Sequence, residues 1–284
     1  MTKNTETFLG CDKEWDEAKI VLFGAPFDST ASYRPGSRFA SRTMRAESYG
    51  LETFSPYQDL DLADDASVFD GGDLELCFGD TQKALDDIYA FSKKILAADK
   101  LPLLIGGEHL VSLPAIKATH EKYPALRLIH FDAHTDLRDD YLGAKLSHAT
   151  VIRRAWDILG DERIYQFGIR SGEGAEFKWA KDHTHLHRFD FGGLDAALNA
   201  TKNCPVYLTI DLDVLDPSVL CGTGTPEAGG VTFTELLQAT LTVIKNADIV
   251  ACDITELAPN LDPSGASTAV ALKLLREMLL ALGR

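Results

Sequence analysis

The sequence contains no long hydrophobic run. Within its 284 residues, no stretch approaches the roughly 18 consecutive apolar residues that a membrane-spanning helix needs. The first seventeen residues carry Asp12, Glu14, Asp16 and Glu17. They have neither the apolar segment of a secretory signal nor the Arg-rich composition of a transit peptide. We therefore expect a cytoplasmic protein that has no membrane partner.

Cysteine is also scarce. The five cysteines are odd in number, widely separated and never spaced as C-x-x-C: Cys11, Cys77, Cys204, Cys221 and Cys252. A disulfide framework or a zinc knuckle would require paired or closely spaced cysteines. The pattern predicts free thiols in a reducing compartment.

Basic residues are few relative to acidic ones, with 28 against 43 and a formal net charge of -15. This balance disfavours nucleic acid as a partner, because binding to phosphates depends on lysine and arginine. It would suit a cationic small molecule, although whole-chain charge bears mainly on solubility. The 45% hydrophobic and 25% charged residues are typical of a globular protein with a buried core.

Short apolar runs recur along the chain and predict buried strands. They cover residues 20–23, 101–105, 126–131, 164–169, 206–210 and 249–254. Helical periodicity follows in 84–95, 115–123, 233–244 and 267–282. This alternation predicts an α/β fold with three α/β/α layers and a mainly parallel central sheet. No linker or repeat divides the chain, so we expect a single domain over residues 1–284.

Acidic residues and histidines cluster where these predicted strands end. Gly-Gly-Glu-His at 106–109, Asp-Ala-His-Thr-Asp at 132–136 and Asp-Leu-Asp at 211–213 each follow an apolar run, and Glu256 follows the last one. In an open parallel sheet the ligand crevice lies beyond the carboxyl ends of the strands. We therefore expect these segments to meet in one crevice.

The spacing of these residues is typical of a metal site. In an extended segment, alternate side chains share one face, which groups Asp132 with His134 and Asp136, and Asp211 with Asp213. Each motif alone fits helix-capping aspartates or a turn equally well. Together, however, clustered carboxylates are costly unless a cation neutralises them. The candidate ligands are His109, Asp132, His134, Asp136, Asp211 and Asp213. This oxygen-rich set suits manganese, with iron or cobalt as substitutes, and is large enough for two ions.

These residues carry a resemblance to a known family. Gly-Ala-Pro-Phe-Asp at 24–28, Tyr-Arg-Pro-Gly-Ser-Arg-Phe at 33–39 and the motifs at 106–109 and 132–136 occur in order, followed by Ser147-His148, Asp-Leu-Asp-Val-Leu-Asp-Pro at 211–217, Gly-Thr-Gly-Thr-Pro at 222–226 and Asp-Ile-Thr-Glu at 253–256. The chain resembles the ureohydrolases of the arginase and agmatinase family, most closely the bacterial agmatinases. The resemblance covers nearly the whole length and implies an arginase-like fold.

The resemblance implies roles for individual residues. His109, Asp132, Asp136 and Asp211 would bind one manganese ion, and Asp132, His134, Asp211 and Asp213 the other, with Asp132 and Asp211 bridging. Such a pair lowers the pKa of a bound water to about 7. Among the remaining residues, Asp136 would move a proton to the leaving nitrogen, Glu256 would hold the guanidinium plane, His148 would shuttle protons and Thr225 would line the pocket.

Several features have plainer alternatives. Glu256 could be an exposed acid, and His148 could be a structural histidine. The chain has Ala149 where many relatives have glycine, which affects the expected backbone path near the substrate tail. His183, His185 and His187 alternate like metal ligands, but they lie outside every matched motif. We expect them in a solvated strand or loop.

The substrate implied by the resemblance is agmatine, hydrolysed to putrescine and urea by a trimer or hexamer. Leu137-Arg138 and Lys145-Leu146-Ser147 replace the asparagine-containing groups of arginases. Arg138 or Lys145 could instead pair with an acidic tail, which leaves guanidinobutyrate, formimidoylglutamate or arginine as alternative substrates. A two-metal phosphoesterase and an inactive relative of the same fold are more remote alternatives.

Overall fold

The computed structural model describes residues 6–283. Its strands are β1 (Ile20–Gly24), β2 (Phe54–Ser55), β3 (Leu60–Asp61), β4 (Val68–Asp73), β5 (Leu101–Ile105), β6 (Arg127–Phe131), β7 (Ile164–Ile169), β8 (His185–Arg188), β9 (Pro205–Asp211) and β10 (Asp248–Thr255). Eight of them form one sheet in the order β4-β1-β5-β10-β9-β6-β7-β8. Every neighbouring pair in this sheet is parallel. The short β2 and β3 form a separate antiparallel pair.

The α-helices connect the parallel strands across the two faces of the sheet. They are α1 (Ala40–Ser48), α2 (Leu62–Asp65), α3 (Thr81–Ala97), α4 (Ser112–Lys122), α5 (Val151–Leu159), α6 (Gly174–His183), α7 (Leu194–Ala200), α8 (Phe233–Asn246) and α9 (Ala266–Leu282). Among the described residues, no helix has both the length and the apolar character needed to cross a membrane.

Two hydrophobic cores flank the sheet, because successive side chains of a strand point to opposite faces. On β5, Leu103 and Ile105 belong to the core that contains α8 and α9. Leu104 points the other way and packs in the core that contains α3, α4 and α5. The predicted three-layer architecture with a parallel central sheet is therefore confirmed.

The six predicted strands are the six inner strands of the sheet. The ends of each lie within two residues of the predicted ends. Of the two edge strands, β4 has no counterpart among the predicted strands, and β8 lies where a solvated strand or loop is expected. β4 reads Val-Phe-Asp-Gly-Gly-Asp and β8 reads His-Leu-His-Arg, which is only partly buried. An edge strand with one protected face lacks the continuous apolar run of a central parallel strand.

The strand order explains where the motifs meet. β5, β10, β9 and β6 are consecutive in the sheet, and they precede the motifs that start at Gly106, Glu256, Asp211 and Asp132. The register pairs Ile105 with Ile254 and Thr255 with Asp211. All four motifs therefore leave the sheet side by side at its carboxyl edge.

Candidate metal centre and active site

Three carboxylates surround one nitrogen of His109. Its Nδ1 lies 3.1 Å from Asp132 Oδ2, 3.3 Å from Asp136 Oδ2 and 3.4 Å from Asp211 Oδ2. The other nitrogen, Nε2, lies 2.8 Å from the Thr209 hydroxyl. Nδ1 is therefore the atom that His109 offers to a metal ion.

A hydrogen-bond chain fixes the ring of His109 in this orientation. The Thr209 hydroxyl donates to Asp253 Oδ1 at 2.6 Å, so its oxygen accepts the proton of His109 Nε2. Tyr207 donates to the second oxygen of Asp253 at 2.6 Å. Metal-binding histidines usually donate their second N–H to such a partner, which sets the tautomer. When a metal ion is bound, the neutral imidazole would therefore present the lone pair of Nδ1 to that ion.

A second group of ligands shares Asp132 with the first. His134 Nδ1 lies 2.9 Å from Asp213 Oδ2 and 3.5 Å from Asp132 Oδ1. Asp132 therefore directs one oxygen toward His109 and the other toward His134. The donor atoms of Asp132, His134 and Asp213 are close enough together to hold one ion, and those of His109, Asp132 and Asp136 form part of another such group. This arrangement can hold two metal ions with Asp132 between them.

His130 belongs to the first group by distance but has a different function in it. Its Nε2 lies 2.7 Å from Asp132 Oδ2. The amide of Gln166 donates to His130 Nδ1 at 3.1 Å and to the Thr135 carbonyl at 2.9 Å. Since Nδ1 accepts, Nε2 carries the proton and donates to Asp132. His130 therefore orients this carboxylate and has no free lone pair for a metal.

The electrostatics of the cluster favour a bound cation. Burial, together with the charges of Asp213 and Asp132, raises the pKa of Asp211 well above its usual value. Burial and the charge of Asp132 raise the pKa of Asp136 to about 7. Burial alone would lower the pKa of His109, but hydrogen bonds to three carboxylates raise it well above the usual value. Protons thus neutralise the cluster when no metal is bound, and metal ions would replace them. The donor set fits a divalent ion that prefers oxygen and imidazole ligands.

The carboxylate of Asp136 is held in place by an unusual backbone conformation. Its φ of 52° lies in the left-handed region, which is uncommon for residues other than glycine, although aspartate and asparagine adopt it more often than most. Glu176, at the start of α6, accepts hydrogen bonds from the Thr135 hydroxyl and from the amide of Leu137. These contacts secure both neighbours of Asp136 and stabilise the turn.

Glu256 lies beside the candidate ligands and is buried, with 7% of its surface exposed. One carboxylate oxygen accepts a hydrogen bond of 2.8 Å from the amide of His109. The other oxygen, Oε2, faces Gly224. A Cβ atom added to that glycine would lie 3.7 Å from Oε2. Burial, followed by the charge of Glu108, raises the pKa of Glu256 well above its usual value. The alternative of an ordinary exposed acid is therefore wrong.

His148 lines the cavity above the ligands. Its Nε2 lies 3.0 Å from the Ser32 hydroxyl, and its amide donates to the Thr30 hydroxyl at 3.1 Å. Thr30 in turn donates to the buried carboxylate of Glu108. Burial and the charge of His134 lower the pKa of His148 to about 4. The imidazole is therefore neutral at neutral pH.

The cavity has a volume of about 270 Å³ and is lined by four of the predicted site residues, which are His134, Asp136, His148 and Thr225. The Thr225 hydroxyl donates to Asp213 Oδ2 at 3.3 Å. The other candidate ligands and Glu256 are buried. Ala149 lies on the cavity wall, where the structure accommodates its methyl group.

The three alternating histidines have separate partners. His183 forms a hydrogen bond with Asp161, with 2.6 Å between Nδ1 and Oδ1. His185 stacks on Tyr165 with ring centroids 4.6 Å apart, and His187 stacks on Phe167 at 5.2 Å. His185 and His187 lie along the edge strand β8, as expected of a solvated strand or loop, whereas His183 is the last residue of α6, so that expectation is wrong for His183.

Loop 33–39 supports the site from outside. Arg34 donates to the carbonyl of Thr223 at 2.7 Å and to that of Gly224 at 3.2 Å. Arg170 similarly donates to the carbonyls of Asp213 at 2.8 Å and Glu227 at 2.9 Å. These two arginines fix the loop that carries Thr225 against the ligand segment. Both are already paired with backbone carbonyls.

Known proteins are similar to this chain in sequence and in fold. Residues 18–281 match the Arginase family. An agmatinase from Bacillus cereus is 48% identical over 278 residues, which cover 97% of this chain and 96% of the relative. A guanidinobutyrase from Pseudomonas aeruginosa is 32% identical, with 95% of this chain and 88% of the relative covered. The crystal structure of agmatine ureohydrolase from Thermoplasma volcanium superimposes with a TM-score of 0.88 at 32% identity, and covers 98% of this chain and 94% of that chain. The chain belongs to the arginase family.

Proposed function

We propose that this protein is an agmatinase, which hydrolyses the guanidinium group of agmatine to give putrescine and urea. The observation that carries the proposal is the pair of ligand groups joined by Asp132 beneath a polar cavity, with the buried carboxylate of Glu256 beside them. The 48% identity to the Bacillus cereus agmatinase over nearly the full length supports the same substrate.

The ligand set that we propose is His109, Asp132, Asp136 and Asp211 for one manganese ion, and Asp132, His134, Asp211 and Asp213 for the other. Two such ions, when bound, supply a nucleophilic hydroxide at neutral pH and stabilise developing negative charge. The shared position of Asp132 supports its bridging role. For Asp211, the structure supports a place in the first group through its 3.4 Å distance to His109.

Glu256 would bind and orient the guanidinium group. A carboxylate and a guanidinium form a planar, bidentate pair, and fixing that plane exposes the guanidinium carbon to attack. The pKa of Glu256 is raised because its carboxylate is buried and lies near the charge of Glu108. Within the described part of the chain, no cation pairs with the oxygen that His109 leaves open. A bound guanidinium would supply that partner.

Hydrolysis must deliver an oxygen to the guanidinium carbon and a proton to the departing amine. Asp136 lines the cavity, so we assign it the proton transfer to the amine nitrogen. His148, held by Ser32 at the cavity wall, would exchange protons with solvent. Thr225 would contact the substrate chain and hold Asp213 through its hydroxyl.

The alternative substrates with acidic tails are less well supported. Arg138 lines the cavity, but it already forms an ion pair with Glu173 at 2.8 Å. Among the described residues that line this cavity, Arg138 is the only arginine or lysine. A phosphoesterase would need free cations at this place to hold the substrate phosphate.

Urea release with manganese tests the proposal across agmatine, arginine and guanidinobutyrate, and release of glutamate and formamide tests formimidoylglutamate. We expect agmatine to have the highest kcat/KM, and activity to disappear with a chelator and return with metal. Preference for another substrate would contradict the assignment to agmatine, and activity in protein that elemental analysis shows to be metal-free would contradict the two-metal site. The identity of the metal, a trimeric or hexameric assembly, a cytoplasmic location and a single domain over residues 1–284 stay predictions.

A further inference from the structure

An ion-paired arginine lies at the mouth of the active-site cavity. Arg138 Nη1 is 2.8 Å from Glu173 Oε1, and its Nε is 3.7 Å from Glu176 Oε2. The guanidinium lies 4.6 Å from the centroid of the Tyr141 ring. All four residues line the cavity that also contains His148 and Thr225. A substrate that occupies this cavity would therefore bring its tail close to this group.

Two neighbouring carboxylates outweigh the positive charge of Arg138. Glu176 is committed to the turn of Asp136 through its contacts with Thr135 and Leu137. Glu173 is the residue that precedes α6, and its backbone amide donates to Glu176 Oε2 at 2.7 Å. One positive and two negative groups leave this part of the mouth with a net negative charge.

A further acid lies nearby on the same side. Glu227 accepts a hydrogen bond of 2.7 Å from Ser171, which lines the cavity, and its carboxylate is 3.9 Å from His134 Nε2. An ammonium tail would find carboxylates at this mouth. A carboxylate tail would meet carboxylates and an arginine that has already been neutralised.

We propose that the Glu173–Arg138 pair determines tail specificity, in that Glu173 withholds Arg138 from substrate carboxylates and so selects a cationic tail. This inference rests on the proposed hydrolysis of agmatine and adds the residues that discriminate its tail. It predicts a latent second specificity, because removing the charge of Glu173 leaves Arg138 available to a carboxylate. Glu173 acts here on the tail and takes no part in the chemical step.

The test compares agmatine with guanidinobutyrate, whose tail carries a carboxylate where agmatine has an ammonium. Glu173→Gln removes the charge but keeps nearly the same volume, and it leaves the hydrogen bond from the Glu173 amide to Glu176 in place. We expect the ratio of kcat/KM for guanidinobutyrate to that for agmatine to rise about tenfold or more, in line with charge pairs near a protein surface. Metal content should not change.

Two further variants separate a charge effect from a structural one. Arg138→Gln should lower the same ratio in the otherwise unchanged protein, and it should cancel the gain when it is combined with Glu173→Gln. As a matched control, Asp139→Asn removes an exposed carboxylate that is ion-paired with Arg154 at 2.7 Å, and it should leave the ratio unchanged.

The results distinguish this inference from the proposed function. If the unchanged protein hydrolyses agmatine but Glu173→Gln does not alter the ratio, or if the double variant keeps the gain, the specificity pair is wrong and the agmatinase assignment stands. A rise of the ratio in Arg138→Gln alone would also overturn the pair. If the unchanged protein loaded with manganese does not hydrolyse agmatine, the proposed function itself fails.

Discussion

Replacing Asp136 by asparagine tests whether the buried carboxylates need a cation. Burial and the charge of Asp132 raise the pKa of Asp136 to about 7, whereas an aspartate in an unfolded chain titrates near about 4. Between these two values the unfolded chain gives up its proton while the folded protein keeps it. The contribution of Asp136 to the stability of metal-free protein therefore becomes more unfavourable as the pH rises from about 4 to about 7, and it stays at its full size at higher pH.

The size of this loss follows from the difference in pKa. At about 1.4 kcal/mol for each pKa unit, Asp136 costs the metal-free fold about 2 kcal/mol at pH ~5.5 and about 4 kcal/mol at pH ~8. Asparagine cannot ionise, and it adopts the left-handed conformation readily, so the φ of 52° adds no new strain. The Asp136→Asn variant should therefore be more stable than the unchanged protein by these amounts when a chelator is present.

Thermal unfolding in a chelator at both pH values measures the effect. A difference of about 4 kcal/mol corresponds to a shift in Tm on the order of 10 °C for a chain of this size. Adding manganese should reverse the order, because the variant lacks one ligand and gains less from the metal. As a control, Asp182→Asn changes an exposed aspartate on α6 and should shift Tm little at either pH. A metal-free Asp136→Asn variant that is less stable at pH ~8, or a difference that does not grow with pH, would refute the reasoning.

Three further substitutions distinguish effects on metal binding from effects on catalysis. Glu256→Gln should lower kcat by about a hundredfold or more while elemental analysis finds the metal content unchanged, and loss of metal would contradict its assigned role. Asp211→Asn removes a carboxylate 3.4 Å from His109, so both metal content and urea release should fall, and full activity would argue against two ions. Ser32→Ala removes the 3.0 Å contact with His148 and should lower kcat about fivefold at unchanged metal content, whereas an unchanged kcat would show that this hydroxyl does not hold the imidazole.

The centre of the sheet could be predicted from sequence because its strands are buried on both faces. Such strands read as continuous apolar runs, as in β5 and β7. The motif residues follow these runs directly, and parallel strands bring their carboxyl ends to one edge. Little more than the strand assignment was therefore needed to predict where the six candidate ligands lie.

The residues that support the ligands could not be found in the same way. Thr209 and Asp253 are 44 residues apart in sequence, and they meet only because β9 and β10 are neighbours in the sheet. His130 did leave a signal, since it continues the alternate spacing of Asp132, His134 and Asp136. Its function, however, depends on Gln166 of the neighbouring strand β7. Strand order is a property of the whole fold, and local spacing does not contain it.

The site divides into a floor and a mouth that are built by different means. Floor residues such as His109 and Asp132 are held by side chains of adjacent central strands, so a change there disturbs both the ligand and the core beneath it. Mouth residues such as Arg138 and Glu173 come from loops and helix starts beyond β6 and β7, where side chains are partly exposed. We expect a change of charge at Arg138 or Glu173 to cost little stability, whereas Glu176 also holds the turn of Asp136. The same floor can therefore serve guanidino substrates with different tails, and the charges in the mouth decide which tail this chain accepts.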